Sequence, residues 1–282
     1  MASQSFPVLF ISHGGGPWPW MLDRMAGRYD KLAAALRRIP SEVGDKPAAI
    51  LMVSAHWEER VFTAMAHPHP PMLYDYYGFP EDTYRVRYPA PGAPTVAAQA
   101  CALLEAAGMA TSRDAERGFD HGMFSPMQVM YPEAQVPVAQ LSLRQGLDPR
   151  EHLAAGRALA PLRDAGVLIV GSGLTYHNLR AFGPAAKAPS TQFDDWLQRT
   201  LAIADPAERD DALVAWESAP AARAAHPREE HLLPLMVAVG AAGADRADCV
   251  YHEDDFLGGV SVSNFMFGHA VAPAREVPAQ RR

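Results

Sequence analysis

The chain has 282 residues, 49% of them hydrophobic, and a formal net charge of -7. That length suits one large α/β domain or two small ones, with enough apolar residues for a full core. An acidic balance with no basic block excludes nucleic acid as the main partner and leaves no patch for an anionic membrane.

The N-terminus, MASQSFPVLFISHGGG, has no basic n-region and no small-residue cleavage site, so no signal peptide is expected and a cytoplasmic location follows. Residues 7–12 and 48–55 are continuous runs rich in Val, Ile and Leu, as in strands covered on both faces. Between them, residues 21–38 repeat apolar positions at three and four, which predicts an amphipathic helix and a first βαβ unit. Residues 61–66 predict a further strand. Residues 67–94 are dense in Pro and Tyr and lack periodicity; their aromatics point to an ordered loop covering a pocket. Helices are expected at 95–107, within 118–131, and at 149–165, with a strand at 136–143. A strand at 167–172 ends in Gly171-Ser172-Gly173. Helices follow at 190–203, 207–217 and 228–241, then strands at 248–251 and 259–268, and a polar tail, 273–282, expected to fray. The alternation places the chain in the α/β class. No apolar run approaches the roughly 20 residues of a spanning helix. Cys101 and Cys249 form no C-x-x-C and are expected to be a buried, reduced pair.

His13, His56 and His177 each follow one of the apolar runs. Ligands of open α/β sheets bind beyond the carboxyl ends of the strands, so three such imidazoles converge on one crevice if the runs are parallel. Imidazole is the commonest metal ligand and the usual base near neutral pH. SHGGGP at 12–17 reads as a metal-ligand turn, a phosphate cradle, an oxyanion loop or a plain βα turn. The phosphate reading lacks G-x-G-x-x-G, and the oxyanion reading lacks a G-x-S-x-G nucleophile elbow. SAHWEE puts His56 at the end of the most apolar run, where a core histidine is the bland alternative. HPREEHLLPL offers His226, Glu229, Glu230 and His231, with Pro227 placed for a first helical turn that carries His231. GFDHG and YHNL present His121 and His177 as ligands, acid/base groups or structural hydrogen-bonders.

Taken in order, SHGGGP, SAHWEE, YDYYGFP…YRVRYPAPG, GFDHG, YHNL and PREEHLLPL resemble the DODA-type extradiol aromatic ring-opening dioxygenases. These belong to the class III superfamily, whose fold is that of the protocatechuate 4,5-dioxygenase catalytic subunit. The resemblance runs from about residue 7 to residue 268. It implies a single α/β catalytic domain over 1–282, with a mostly parallel central sheet flanked by helices. It implies non-haem Fe(II) and insertion of both atoms of O₂ into a catechol next to its two hydroxyls. Carried over by motif, the metal histidines fall on His13, His56 and His231. The acid/base falls on His177, and a supporting or substrate-binding histidine on His121. The wider superfamily uses two histidines and a carboxylate, so Glu230 is a rival to His231. An all-imidazole set also suits Zn(II). Trp18, Trp57, Tyr77 and Arg85 are the expected substrate residues, with Arg85 a candidate for the carboxylate of a DOPA-like catechol. The partners implied are a small aromatic molecule and O₂, acting on a monomer or homodimer. A zinc-dependent hydrolase and a non-enzymatic Memo-like interaction protein are the alternatives.

Overall fold

The computed structural model describes residues 5–268; the tail expected to fray lies outside the described residues. Its strands are β1 (Val8–Ser12), β2 (Ala49–Glu59), β3 (Phe62–Met65), β4 (Thr111–Asp114), β5 (Val138–Arg144), β6 (Val167–Gly173), β7 (Ala247–Phe256) and β8 (Val260–Phe267). They form one eight-stranded sheet in the order β4-β3-β5-β2-β6-β1-β8-β7. The inner pairs β5–β2, β2–β6 and β6–β1, and the outer pair β3–β4, are parallel. β3–β5, β1–β8 and β8–β7 are antiparallel. The helices are α1 (Asp30–Val43), α2 (Pro94–Ala106), α3 (His121–Met130), α4 (Pro149–Leu159), α5 (Lys187–Leu201), α6 (Pro206–Val214), α7 (Ala222–Ala225) and α8 (Leu233–Ala242). The mostly parallel α/β fold expected from the sequence is the one formed. No helix among the described residues is long and apolar enough to cross a membrane.

The apolar runs of β1, β2 and β6 are continuous because helices cover both sheet faces. Side chains alternate along a strand. Gly171 and Gly173 of β6 lie under Pro234 and His231, whereas Ser172 turns to the other face and meets the Gly122 carbonyl of α3. α8 and α3 therefore sit on opposite sides of β6. In the register, Ser12 of β1 is opposite Gly173, and Ser54 of β2 is opposite Ser172. The carboxyl ends of β1, β6 and β2 thus lie side by side, with β6 inserted between the first two strands.

Several boundaries differ from the sequence reading. The helix expected at 21–38 is a 3-10 segment, Trp18–Arg24, followed by α1. Ala26 and Gly27 take φ of 49° and 76°, which no helix accommodates. β2 runs on through His56 to Glu59 after an irregularity past Val53. The helix expected from residue 228 starts at Leu233, because Pro234 rather than Pro227 occupies its first turn. His231 therefore lies in the turn ahead of α8, not inside it. β4 was not anticipated: TSRD is a polar edge strand with no apolar alternation. Cys101 is buried and free, but Cys249 is exposed, so the two are not a buried pair.

Buried His226 is a core residue and makes the fold acid-sensitive. Its ring meets Phe193 and Trp216 edge-on. Nε2 lies 3.0 Å from the Thr175 carbonyl and must donate to it, leaving Nδ1 unpartnered. Burial lowers its pKa to about 3. The unfolded chain takes up this proton near pH 6.5, whereas the folded chain does not. The contribution is therefore complete above pH 6.5 and is lost as pH falls toward 3, at about 1.4 kcal/mol per pH unit. Urea unfolding between pH 7 and 5 should show a flatter pH dependence for His226→Gln by about that slope. Equal slopes for the two proteins would refute this assignment.

Candidate active site

The aligned strand ends bring the predicted histidines together. His13 follows β1 directly, His56 lies in the last part of β2, and His177 sits four residues beyond β6. His231 comes from the turn before α8. That turn can approach only because position 173 is glycine: a Cβ there would stand 2.1 Å from the His231 carbonyl. The Leu174 amide in turn donates to the same carbonyl at 3.1 Å. His121 is the first residue of α3, whose N-terminus is capped by Asp120 accepting from Met123 N. Asp120 is fully buried. It also accepts from Ser54 Oγ at 2.8 Å, Gln140 Nε2 at 2.8 Å and Arg117 Nη2 at 2.9 Å. The FDHG aspartate thus ties the α3 terminus to β2 and β5.

Nε2 of His56 lies 3.1 Å from Nε2 of His13 and 3.3 Å from Nε2 of His231. The outer nitrogens identify the protons, which are inferred from partners. Ser172 Oγ gives its hydrogen to the Gly122 carbonyl, so at 3.1 Å it accepts from His13 Nδ1. His231 Nδ1 donates to Glu230 Oε1 at 2.9 Å. His56 Nδ1 faces Asp75 Oδ2 at 3.3 Å, an oxygen with no other hydrogen-bond partner. With each Nδ1 carrying the hydrogen, the Nε2 lone pair of His56 faces those of His13 and His231. Protons do not relieve this repulsion. Burial, reinforced by the neighbouring histidines, holds His13 and His231 well below the ordinary histidine range and lowers His56 to about 3. A divalent metal does relieve it. Imidazoles bound at ~2.0–2.1 Å space their nitrogens by roughly 2.8–3.4 Å between octahedral and tetrahedral angles, and the spacings of 3.1 and 3.3 Å from His56 fall in that range. His13, His56 and His231 are therefore a donor set able to hold such an ion.

Two further imidazoles border the set. Ligand nitrogens of His13, His56 and His121 lie within 4.8 Å of one another. His121 is held through Asp75 Oδ1, which accepts from its backbone N and its Nδ1, each at 2.9 Å. Burial opposes ionisation of Asp75, but the His121 hydrogen bond and the two histidines outweigh it and lower its pKa. His177 stacks on His231 with ring centroids 3.3 Å apart. Its Nδ1 donates to Glu230 Oε1 at 3.1 Å, leaving Nε2 free to accept a proton. Glu230, the suggested rival ligand, instead joins the outer edges of His177 and His231. Burial alone would raise its pKa, yet the His177 hydrogen bond makes the net shift downward. It therefore stays ionised. A cleft of ≈ 550 Å³ lined by His177, Asn178, Leu179, Arg180, Pro227, Arg228 and Glu230 opens beside this pair.

The expected substrate residues do not gather at the histidines. Trp18 is 0% exposed, stacked on Tyr29, with Nε1 donating to the His13 carbonyl; it buttresses the site from inside the core. Trp57 is buried beneath the Arg117 guanidinium and donates to Glu59. Tyr77 is 91% exposed, and Arg85 is exposed and paired with Glu81. The 67–94 loop does reach the site, through Asp75, Tyr76 and Phe79. Asp75 bridges His56 and His121, the Tyr76 ring lies 6.0 Å from His121, and Phe79 lies against Gly16. Asp75 and Ser172 were missed. The available signals were a lone acid among loop tyrosines and a serine between two glycines at a strand end.

Residues 9–276 match the family described as the catalytic LigB subunit of aromatic ring-opening dioxygenase. A dioxygenase named tasH from Hapsidospora irregularis is 36% identical, covering 93% of this chain and 85% of that protein. A 4,5-DOPA dioxygenase extradiol from Escherichia coli is 33% identical over 95% and 97% of the two chains, and one from Portulaca grandiflora is 40% identical over 74% and 79%. Among solved structures, an uncharacterized protein of Escherichia coli K12 superposes with a TM-score of 0.72 at 28% identity, covering 93% of this chain and 99% of that one.

Proposed function

This chain belongs to the LigB family of aromatic ring-opening dioxygenases, and from that premise we propose that His13, His56 and His231 hold the Fe(II) at which it opens a catechol. The family assignment makes the chain a metal-dependent extradiol dioxygenase acting on a small aromatic molecule with O₂, and no observation favours the hydrolase or interaction-protein alternatives. The core of about residues 7–268 is the catalytic domain of this proposal. Relatives named 4,5-DOPA dioxygenase support a DOPA-like catechol as substrate.

The observation that carries the metal set is the facing of three unprotonated Nε2 atoms at 3.1 and 3.3 Å. Bound iron(II) supplies the electron transfer that couples an aromatic ring to O₂. The chain's own residues do the rest. Ser172, Asp75 and Glu230 fix the orientation and basicity of the ligand imidazoles through Nδ1. His177 takes a catechol hydroxyl proton on Nε2, and the Glu230 carboxylate at Nδ1 stabilises the imidazolium that forms. His121, anchored by Asp75, presents its free Nε2 to the reacting oxygens. The Tyr76 and Phe79 loop excludes water from one side.

Protein reconstituted anaerobically with Fe(II) is expected to take up O₂ with a catechol panel that includes DOPA, and to form a yellow ring-opened semialdehyde. The Zn(II)-loaded protein is expected to do neither. Equal turnover with zinc would remove iron from the proposal.

A further inference from the structure

The cleft mouth beside His177 carries two guanidinium groups with different commitments. Arg228 is occupied: its Nη1 and Nη2 each lie 2.5 Å from an oxygen of Glu58, and Nη1 is 3.6 Å from Glu230 Oε2. Arg180 lines the same cleft and is exposed. Its guanidinium makes no hydrogen bond or ion pair among the described residues. Its backbone, in contrast, is held firmly. Arg180 N donates to Asn178 Oδ1 at 3.2 Å, Asn178 Nδ2 donates to the Ala224 carbonyl at 2.9 Å, and His177 N donates to the Ala225 carbonyl at 2.9 Å. A free cation thus stands on a fixed turn, three residues from the proposed base. Leu179 beside it is 73% exposed, an apolar surface on the same lip.

The other charges facing the cleft leave Arg180 as its unbalanced group. Glu58 and Arg228 neutralise each other, and Glu230 Oε1 is turned to the two histidines. His177 is part of this cleft lining, so a catechol that gives it a hydroxyl proton borders the same cleft as Leu179 and Arg180.

We propose that Arg180 is the specificity residue for an anionic substituent, so that the enzyme selects catechols bearing a carboxylate on a short side chain. This rests on the ring-cleavage reading and on the role of His177 within it. It transfers to Arg180 the part the sequence suggested for Arg85, which is exposed and already paired with Glu81. The guanidinium fork matches a carboxylate bidentately. Solvent at the mouth screens the pair, so the expected discrimination is about tenfold rather than the hundredfold of a buried one.

The test compares 3-(3,4-dihydroxyphenyl)propionate with its methyl ester, bound anaerobically to iron-reconstituted protein and read by calorimetry. The wild type should bind the acid about tenfold more tightly, with the margin shrinking at high salt. Arg180→Gln should bind both alike and keep its iron, and Arg85→Gln should retain the wild-type ratio. Arg180 loses the role if the ratio survives in Arg180→Gln, if it vanishes in Arg85→Gln, or if the wild type binds both alike. O₂ uptake is followed separately on the same samples. A charge preference without uptake upholds Arg180 and removes the ring-cleavage reading. Uptake without a charge preference does the reverse.

Discussion

His56→Ala is expected to leave the chain folded but unable to retain a divalent metal through dialysis against a weak chelator. His56 Nε2 is the donor shared by both short contacts, 3.1 Å to His13 and 3.3 Å to His231, so its loss removes the centre of the set. Loss of a partner behind a metal ligand costs roughly 10–100-fold in affinity or activity. Loss of a ligand must exceed that, so an affinity decrease of more than about 100-fold is expected, with ring cleavage falling in parallel. Asp75→Asn supplies the graded comparison. It weakens the acceptor at His56 Nδ1 and at His121 Nδ1, so an intermediate loss of about 10–100-fold should follow. Metal content by elemental analysis, with circular dichroism to confirm folding, reads both. A full metal complement in His56→Ala would sink the proposed centre. An Asp75→Asn protein as empty as His56→Ala would make Asp75 a ligand.

Much of this centre is legible in the chain because strand ends are strong signals. An apolar run followed by histidine marks the carboxyl end of a buried strand, and parallel neighbours align those ends. Hence His13, His56 and His177 fall together although β6 intervenes between β1 and β2 in the sheet. His231 is placed by a different device, the glycine at 173 that admits its backbone. From sequence alone it reads as a helical residue, since Pro227 and Pro234 are both acceptable helix starters. The supporting groups were harder to see. Asp75 acts through a loop with no periodicity, and Ser172 acts because the strand pleat turns it toward His13. Aromatic type was a poor guide to the substrate pocket. Trp18 and Trp57 are large enough to line one, but both are consumed by the core. Arg85 and Arg180 look equivalent in sequence, but in the fold Arg85 is paired with Glu81 whereas Arg180 lines the cleft beside His177.

His177→Ala should separate proton transfer from metal binding. Its Nδ1 is held 3.1 Å from Glu230 Oε1, and no short contact ties it to the facing Nε2 atoms of His13 and His56. The variant should therefore keep its iron. A positioned acid/base group contributes typically 10²–10⁴ in rate, and kcat should fall by about that factor with KM changing little. The stack on His231, with ring centroids 3.3 Å apart, predicts a secondary loosening of metal affinity well short of the loss in His56→Ala. Glu230→Gln makes the contrast sharper. One carboxylate oxygen accepts from both His177 and His231, so this change should lower turnover and metal affinity together. Single-turnover kinetics on iron-loaded samples at matched metal content distinguish the two effects. Normal turnover in His177→Ala would end its role as base. Loss of iron comparable to that of His56→Ala would place His177 among the ligands.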